Sequence, residues 1–173
     1  MKKNSELLVH KGPVVDVYSS EFEDHNGLFN AQVLKHSGAV CIAASNNQRG
    51  FFMVEQYRFG IEDSLLEFPA GKINEGEDLE IAAHRELQEE TGYRANNLVY
   101  LGKIHPSPAF LSEVIHLYYA YDLDHVGQNL DSDEFLDLSI YDLEKLEAMI
   151  YDNSISDAKT IALIFKLKHF FNQ

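Results

Sequence analysis

Residues 71–93, GKINEGEDLEIAAHRELQEETGY, constrain this chain more than any other stretch. Their Leu, Ala, Glu and Gln content favours a helix, expected from about Glu77 to Thr91. At about 100° per residue, Glu89 and Glu90 fall about 60° and 40° to either side of Glu86. These carboxylates therefore share one face. Leu79, Ala82 and Ala83 project from the same face earlier in the helix, so it begins apolar, as a core-facing side does. Like charges at this spacing repel by roughly a few tenths of a kcal/mol per pair, and acids late in a helix oppose its dipole. A cation has to compensate. Arg85 supplies one charge, and a divalent ion on carboxylate oxygens would supply the rest, as Mg²⁺ does when it binds through carboxylates and substrate phosphates. An acidic helix end turned to solvent is the alternative. The apolar start of the face argues against it, as do two framing glycines. Gly92 stands where a helix C-cap glycine belongs, and Gly71 follows Pro69 and Ala70, which break the preceding strand.

Written out, the stretch is Gly71, five residues, Glu77, seven residues, Arg85, Glu86, Leu87, any residue, Glu89, Glu90, any residue, Gly92 and Tyr93. This pattern resembles the conserved box of the Nudix hydrolases at every fixed position. The resemblance covers about residues 40 to 170. It implies an α/β/α sandwich with a mixed β-sheet, here a single domain over residues 1–173 with an N-terminal β-rich hairpin region, 1–38, and a core, 39–173. It further implies Mg²⁺, with Mn²⁺ as an alternative ion, held by Glu86, Glu89 and Glu90. Arg85 is expected to orient these glutamates. Glu77, eight residues before Arg85, is too far along a continuous helix for a local pair and is expected to be structural.

Composition excludes several other classes. At 173 residues, 45% hydrophobic and 24% charged, the chain is long and apolar enough for one folded domain. Lys and Arg number 14 against 28 Asp and Glu, a formal charge of −14. That field repels nucleic-acid backbones, and it would repel a phosphate substrate too unless metal ions screened the site. Cys41 is the single cysteine, so no intrachain disulfide forms and the reducing cytoplasm is the expected compartment. The start, MKKNSELLVHKG, lacks the apolar segment of a signal peptide, and no apolar run approaches a membrane span.

Strand-like runs occupy 6–9, 14–18, 28–34 and 39–44, with Asn26–Gly27 the strongest turn signal among them. Further strands are expected at 51–57, 65–68, 98–104 and 114–122. Arg58 ends the first of these. It is either a surface residue or a clamp for phosphate oxygens, to which Arg offers a planar fork. The segment VEQYRFG is similar to one carrying such an arginine in the ADP-ribose pyrophosphatases of the Nudix family. EFPAG resembles their lead-in to the box, which implies that the Ala70 carbonyl ligates metal and that Glu67 lies near the substrate. Pro108 stands 15 residues after Tyr93, a spacing similar to the mark of that subgroup, in which Glu113 matches a position contacting the terminal ribose. Ala109 departs from the glycine usual there. His116 has no partner at ligand spacing and is expected to pack within its strand.

The acidic run 122–134 reads as a loop, and DEFLDL at 133–138, which overlaps its end, resembles a mobile segment that delivers a glutamate as general base or extra metal ligand, here Glu134. Ser139 is expected to open a helix, with Asp142 completing a capping box and Ile140, Leu143, Leu146 and Ile150 forming its apolar stripe. A last helix is expected from Ser156–Asp157 to about Phe170, with Ala158, Ile161, Ala162 and Phe165 on one side, and SDAKTIALI resembles the final helix of the same subgroup. The resemblance implies hydrolysis of ADP-ribose to AMP and ribose 5-phosphate, with catalysis by Glu86, Glu90 or Glu134. It also implies a homodimer, whose N-terminal hairpins often pack between subunits. GDP-mannose or another nucleotide sugar is the alternative substrate. A non-catalytic nucleotide-sugar sensor is the alternative class, and the intact box and lack of a basic recognition helix argue against it.

Overall fold

A computed structural model describes residues 1–46, 50–127 and 137–173. The elements run β1 (Lys2–Lys11), β2 (Asp16–Asp24), β3 (Gly27–Lys35), β4 (Ala39–Ala44), β5 (Gly50–Arg58), β6 (Asp63–Glu67), β7 (Ala70–Lys72), α1 (Leu79–Thr91), β8 (Tyr93–Ile104), β9 (Ile115–His125), β10 (Asp137–Asp142), α2 (Leu143–Tyr151) and α3 (Ala158–Phe171).

The central sheet has the order β7-β4-β9-β8, with β4 parallel to β9 and its other neighbours antiparallel. β4, AVCIAA, is buried along its whole length. An unbroken apolar run of this kind belongs to a strand covered on both faces. Val40, Ile42 and Ala44 pack with Ala82, Ala83 and Leu87 of α1. Ala39, Cys41 and Ala43 pack with Leu146 of α2 and Leu163, Ile164 and Leu167 of α3. Helices thus cover the mixed sheet from both sides, the expected α/β/α arrangement. A second sheet, β10-β5-β6, joins the first through the bridge Ser45–Phe51.

The third sheet, β1-β2-β3, is a meander whose second turn is His25–Asn26, one residue before the expected Asn26–Gly27, with Gly27 paired to Asp24 and the Asp24 carboxylate accepting from Asn26 N–H at 2.7 Å. The polar run from Glu21 continues β2 instead of ending it, because every residue from Asp16 to Asp24 pairs with β3. This sheet meets the body where Leu34 N–H donates to the Phe110 carbonyl at 2.7 Å and Ser112 N–H donates to the Leu34 carbonyl at 2.9 Å. β1 is exposed throughout.

Two expectations about the C-terminal region are corrected. Ser139 does not open a helix. It lies in β10 opposite Met53, and the N-cap is Asp142, whose carboxylate accepts from Lys145 N–H at 2.7 Å. Backbone pairing with β5 overrides the local capping pattern. Of the expected face of α3, Ile161 and Ala162 pack partly buried against the core, but its buried residues are Thr160, Leu163, Ile164 and Leu167, while Ala158 and Phe165 are exposed. The helix turns this way because the buried Thr160 hydroxyl accepts from Phe68 N–H at 3.0 Å.

Candidate active site

α1 begins at its N-cap Asp78, whose carboxylate accepts from Glu80 N–H at 2.9 Å and Ile81 N–H at 3.3 Å. It ends at Gly92 in the left-handed region, φ 78°, where only glycine is free of Cβ strain. Between these caps the helix buries Glu86 and Glu90, at 6% and 1% exposure.

Ala70 N–H donates to Glu90 Oε2 at 3.2 Å, tying the helix to β7. The Glu86 carboxylate lies over Gly71, where an added Cβ would meet its carboxyl carbon at 2.1 Å. Arg85 donates to Glu86 at 2.6 Å, to Glu89 at 2.9 Å and to the Lys72 carbonyl at 2.9 Å. Among the described residues the acids are not gathered into a cage of three ligating side chains. Arg85 stands between Glu86 and Glu89.

Glu77 departs from its expected structural isolation. It lies before the N-cap, in a turn where its N–H donates to the Asn74 carbonyl, and it accepts from Arg85 Nε at 2.8 Å and Nη2 at 2.9 Å. The chain folds back there, so eight residues of sequence become a direct ion pair. The Arg85 guanidinium and the Asn74 amide hold the Glu77 carboxyl down at about 2. Hydrogen bonds donated to Glu77, Glu86 and Glu89 keep Arg85 charged against its partial burial.

Beside the acids opens a cavity of about 350 Å³, lined by Ala70, Gly71, Arg58, Glu113, Pro106 and Lys159 among others. Glu67, at the end of β6, is 1% exposed. Its carboxylate accepts from Arg58 Nε at 2.8 Å and from Arg58 Nη2, and also from the Lys159 ammonium. Lys159 also forms an ion pair with Asp157, its Nζ 3.0 Å from the carboxylate. Burial alone would depress the Lys159 ammonium, but the Asp157 and Glu67 carboxylates outweigh it and raise its pKa. His36 Nδ1 lies 3.6 Å from Glu113. His36 and Lys72 also line a second cavity of about 450 Å³ against the β1–β3 sheet.

The expected site residues therefore converge in large part. Ala70, Arg58 and Glu113 line one cavity, Glu86 and Glu90 contact its wall through Gly71 and Ala70, and Glu67 binds Arg58. Pro108 does not join them: it is exposed, and Pro106 lines the cavity in its place. The turn in which the Phe110 and Leu111 N–H groups donate to the Ser107 carbonyl carries Pro108 outward. Glu134 lies outside the described residues. Lys159 and His36 went unread in the sequence. A lysine near the start of an apolar helix was the available signal for the first, and no local pattern marks the second.

The NUDIX domain model matches residues 34–164 of this chain. The chain belongs to the Nudix family. It is 38% identical over 159 residues, covering 90% of this chain and 86% of the relative, to a methanol dehydrogenase activator of Bacillus methanolicus. It is 36% identical over 155 residues, 88% and 84% of the two chains, to an ADP-ribose pyrophosphatase of Bacillus subtilis. The crystal structure of an ADP compounds hydrolase superposes with a TM-score of 0.85 over 99% of this chain and 94% of that one, at 24% identity, which shows the shared fold. The Nudix box thus runs from the end of β7 through the loop 73–78 and helix α1, with Arg85 as its central cation and Gly71 as the bare surface under Glu86.

The donors of this box suit a divalent metal. Glu86, Glu89, Glu90 and the Ala70 carbonyl are hard oxygen donors, and the missing Cβ at Gly71 is what admits the Glu86 carboxylate to the cavity wall.

Proposed function

We propose that this Nudix hydrolase cuts the diphosphate of a nucleoside diphosphate derivative, ADP-ribose foremost, to AMP and ribose 5-phosphate. One observation carries the reading: Ala70 and Gly71, which the buried box acids Glu90 and Glu86 contact, line the same cavity as Arg58, Lys159 and Glu113. The cations suit a diphosphate, and Glu113 suits the hydroxyls of a ribose. The 36% identical relative named ADP-ribose pyrophosphatase supports the choice of substrate.

Glu86, Glu89, Glu90 and the Ala70 carbonyl would hold one to three Mg²⁺ ions, or Mn²⁺ in their place. Bound there, the metal activates water and offsets charge on the bridging oxygen. A carboxylate, Glu86, Glu90 or Glu134, accepts the proton of the attacking water. Arg85 orients Glu86 and Glu89 by its two hydrogen bonds. Arg58 faces the diphosphate, and since its Nε and Nη2 are spent on Glu67, it offers the remaining edge of the guanidinium. The protein acts as a cytoplasmic homodimer of single-domain chains, residues 1–38 forming the outer β-rich part of each.

A panel of ADP-ribose, GDP-mannose and other nucleotide sugars, assayed with phosphatase-coupled phosphate release, tests the substrate. ADP-ribose should give the highest kcat/KM. Relatives named GDP-mannose pyrophosphatase match at 26% identity, and GDP-mannose ranking far above ADP-ribose would overturn the choice.

A further inference from the structure

We propose that Lys159 is the group whose positive charge lets this site bind a diphosphate, an assignment that rests on the reading of the cavity as a diphosphate-cleaving site. The charge count of the cavity floor leads to it. Arg58 is engaged by Glu67 through both Nε and Nη2, so one buried carboxylate already neutralises it. Asp157 adds a second negative charge 3.0 Å from the Lys159 ammonium. Without Lys159, Arg58 would face two carboxylates and the floor would be net negative, repelling the anion it has to hold. With Lys159 the four charges balance. Asp157 is further offset by capping α3, where it accepts from Thr160 N–H at 2.9 Å.

The geometry also leaves the ammonium a free donor. A lysine carries three N–H groups. Glu67 takes one of these, Asp157 stands beside the ammonium as an ion pair 3.0 Å away, and among the described residues no other acceptor meets Lys159. The side chain is 11% exposed, and the residue lines the cavity next to Arg58, Ala70 and Gly71. A solvent-facing lysine would pay a large entropy to hold one geometry. This one is already held by a hydrogen bond to Glu67 and an ion pair with Asp157, so its ammonium is preorganised at the cavity with N–H groups to spare.

A role limited to supporting Glu67 is the competing account, and Lys159→Gln separates the two. Gln retains a donor for Glu67 but carries no charge, whereas Lys159→Met removes both. The probe is the non-hydrolysable diphosphate α,β-methylene-ADP, titrated by calorimetry into the full chain with Mg²⁺ present. Wild type should bind, and both variants should bind about tenfold more weakly or worse. With ADP-ribose the same variants should raise KM while kcat falls much less. K159Q binding within about twofold of wild type would overturn the proposal, as would a K159Q that fails to fold or a wild type that does not bind the probe. If the binding pattern holds and ADP-ribose is not hydrolysed, the functional reading fails while the anion site stands.

Discussion

Gly71 has to be glycine for a reason that lies 15 residues downstream in the sequence. Its Cα is roofed by the Glu86 carboxylate, and a methyl group would come within 2.1 Å of it. The obstacle is the tip of a flexible side chain, so Gly71→Ala should leave the melting temperature nearly unchanged. Glu86 would have to swing aside and give up its 2.6 Å bond from Arg85. Displacements of this order in a catalytic group lower turnover by roughly a hundredfold, and parallel melting and kinetic measurements on G71A will separate the two effects. Glu77 makes a prediction about pH. Its carboxyl is held at about 2 against an ordinary 4.5 by Arg85 and Asn74. A depressed carboxylate stabilises the fold fully above its unfolded pKa and loses that contribution as pH falls toward the folded one. The melting-temperature gap between wild type and Glu77→Gln should therefore be constant above about pH 5 and close between 4.5 and 2.

At the scale of elements, α1 was the most legible part of the chain, because its propensity, its caps and its acidic face all agree. Asp78 was the exception. The helix was expected to start at Glu77, but Asp78 is the residue that accepts the first free N–H groups, and this releases Glu77 to turn back on Arg85. Replacing Asp78 by Ala should destabilise the protein by about 1 kcal/mol, a fall in melting temperature of about 2–4 °C for a chain of this size. Where the sequence misled, a long-range partner decided the outcome. Ser139 and Asp142 have helix-start chemistry, yet β5 recruits Ser139 into a strand through pairing that no local window contains. The buried face of α3 is rotated from the expected one, keeping Ile161 and Ala162 but not Ala158 and Phe165, because Thr160 counts as polar, while in the fold its hydroxyl serves Phe68 and is fully buried. The box acids were readable because their spacing is helical and local. The Arg58–Glu67–Lys159 cluster was not, since Lys159 lies 92 residues beyond Glu67.

Across the whole molecule, stability is distributed unevenly, and this has a measurable consequence. β4 is covered on both faces by helices and touches both clusters of the core. β1 is an edge strand, exposed from end to end, with Leu7 at 69% and Val9 at 58% exposure. The sheet it belongs to meets the body through the short pairing of Leu34 with Phe110 and Ser112. Amides with little apolar cover open locally at low free energy, whereas core strands open only with global unfolding. Hydrogen exchange followed by mass spectrometry should therefore find 2–24 exchanging far faster than 39–44 in dilute protein. An exposed apolar edge is also a surface that a second chain can cover. If the proposed homodimer forms through the β1–β3 sheet, exchange in 2–24 should slow as protein concentration rises, while 39–44 stays unchanged. Exchange in 2–24 that is independent of concentration, together with a monomeric mass by light scattering, would remove the homodimer.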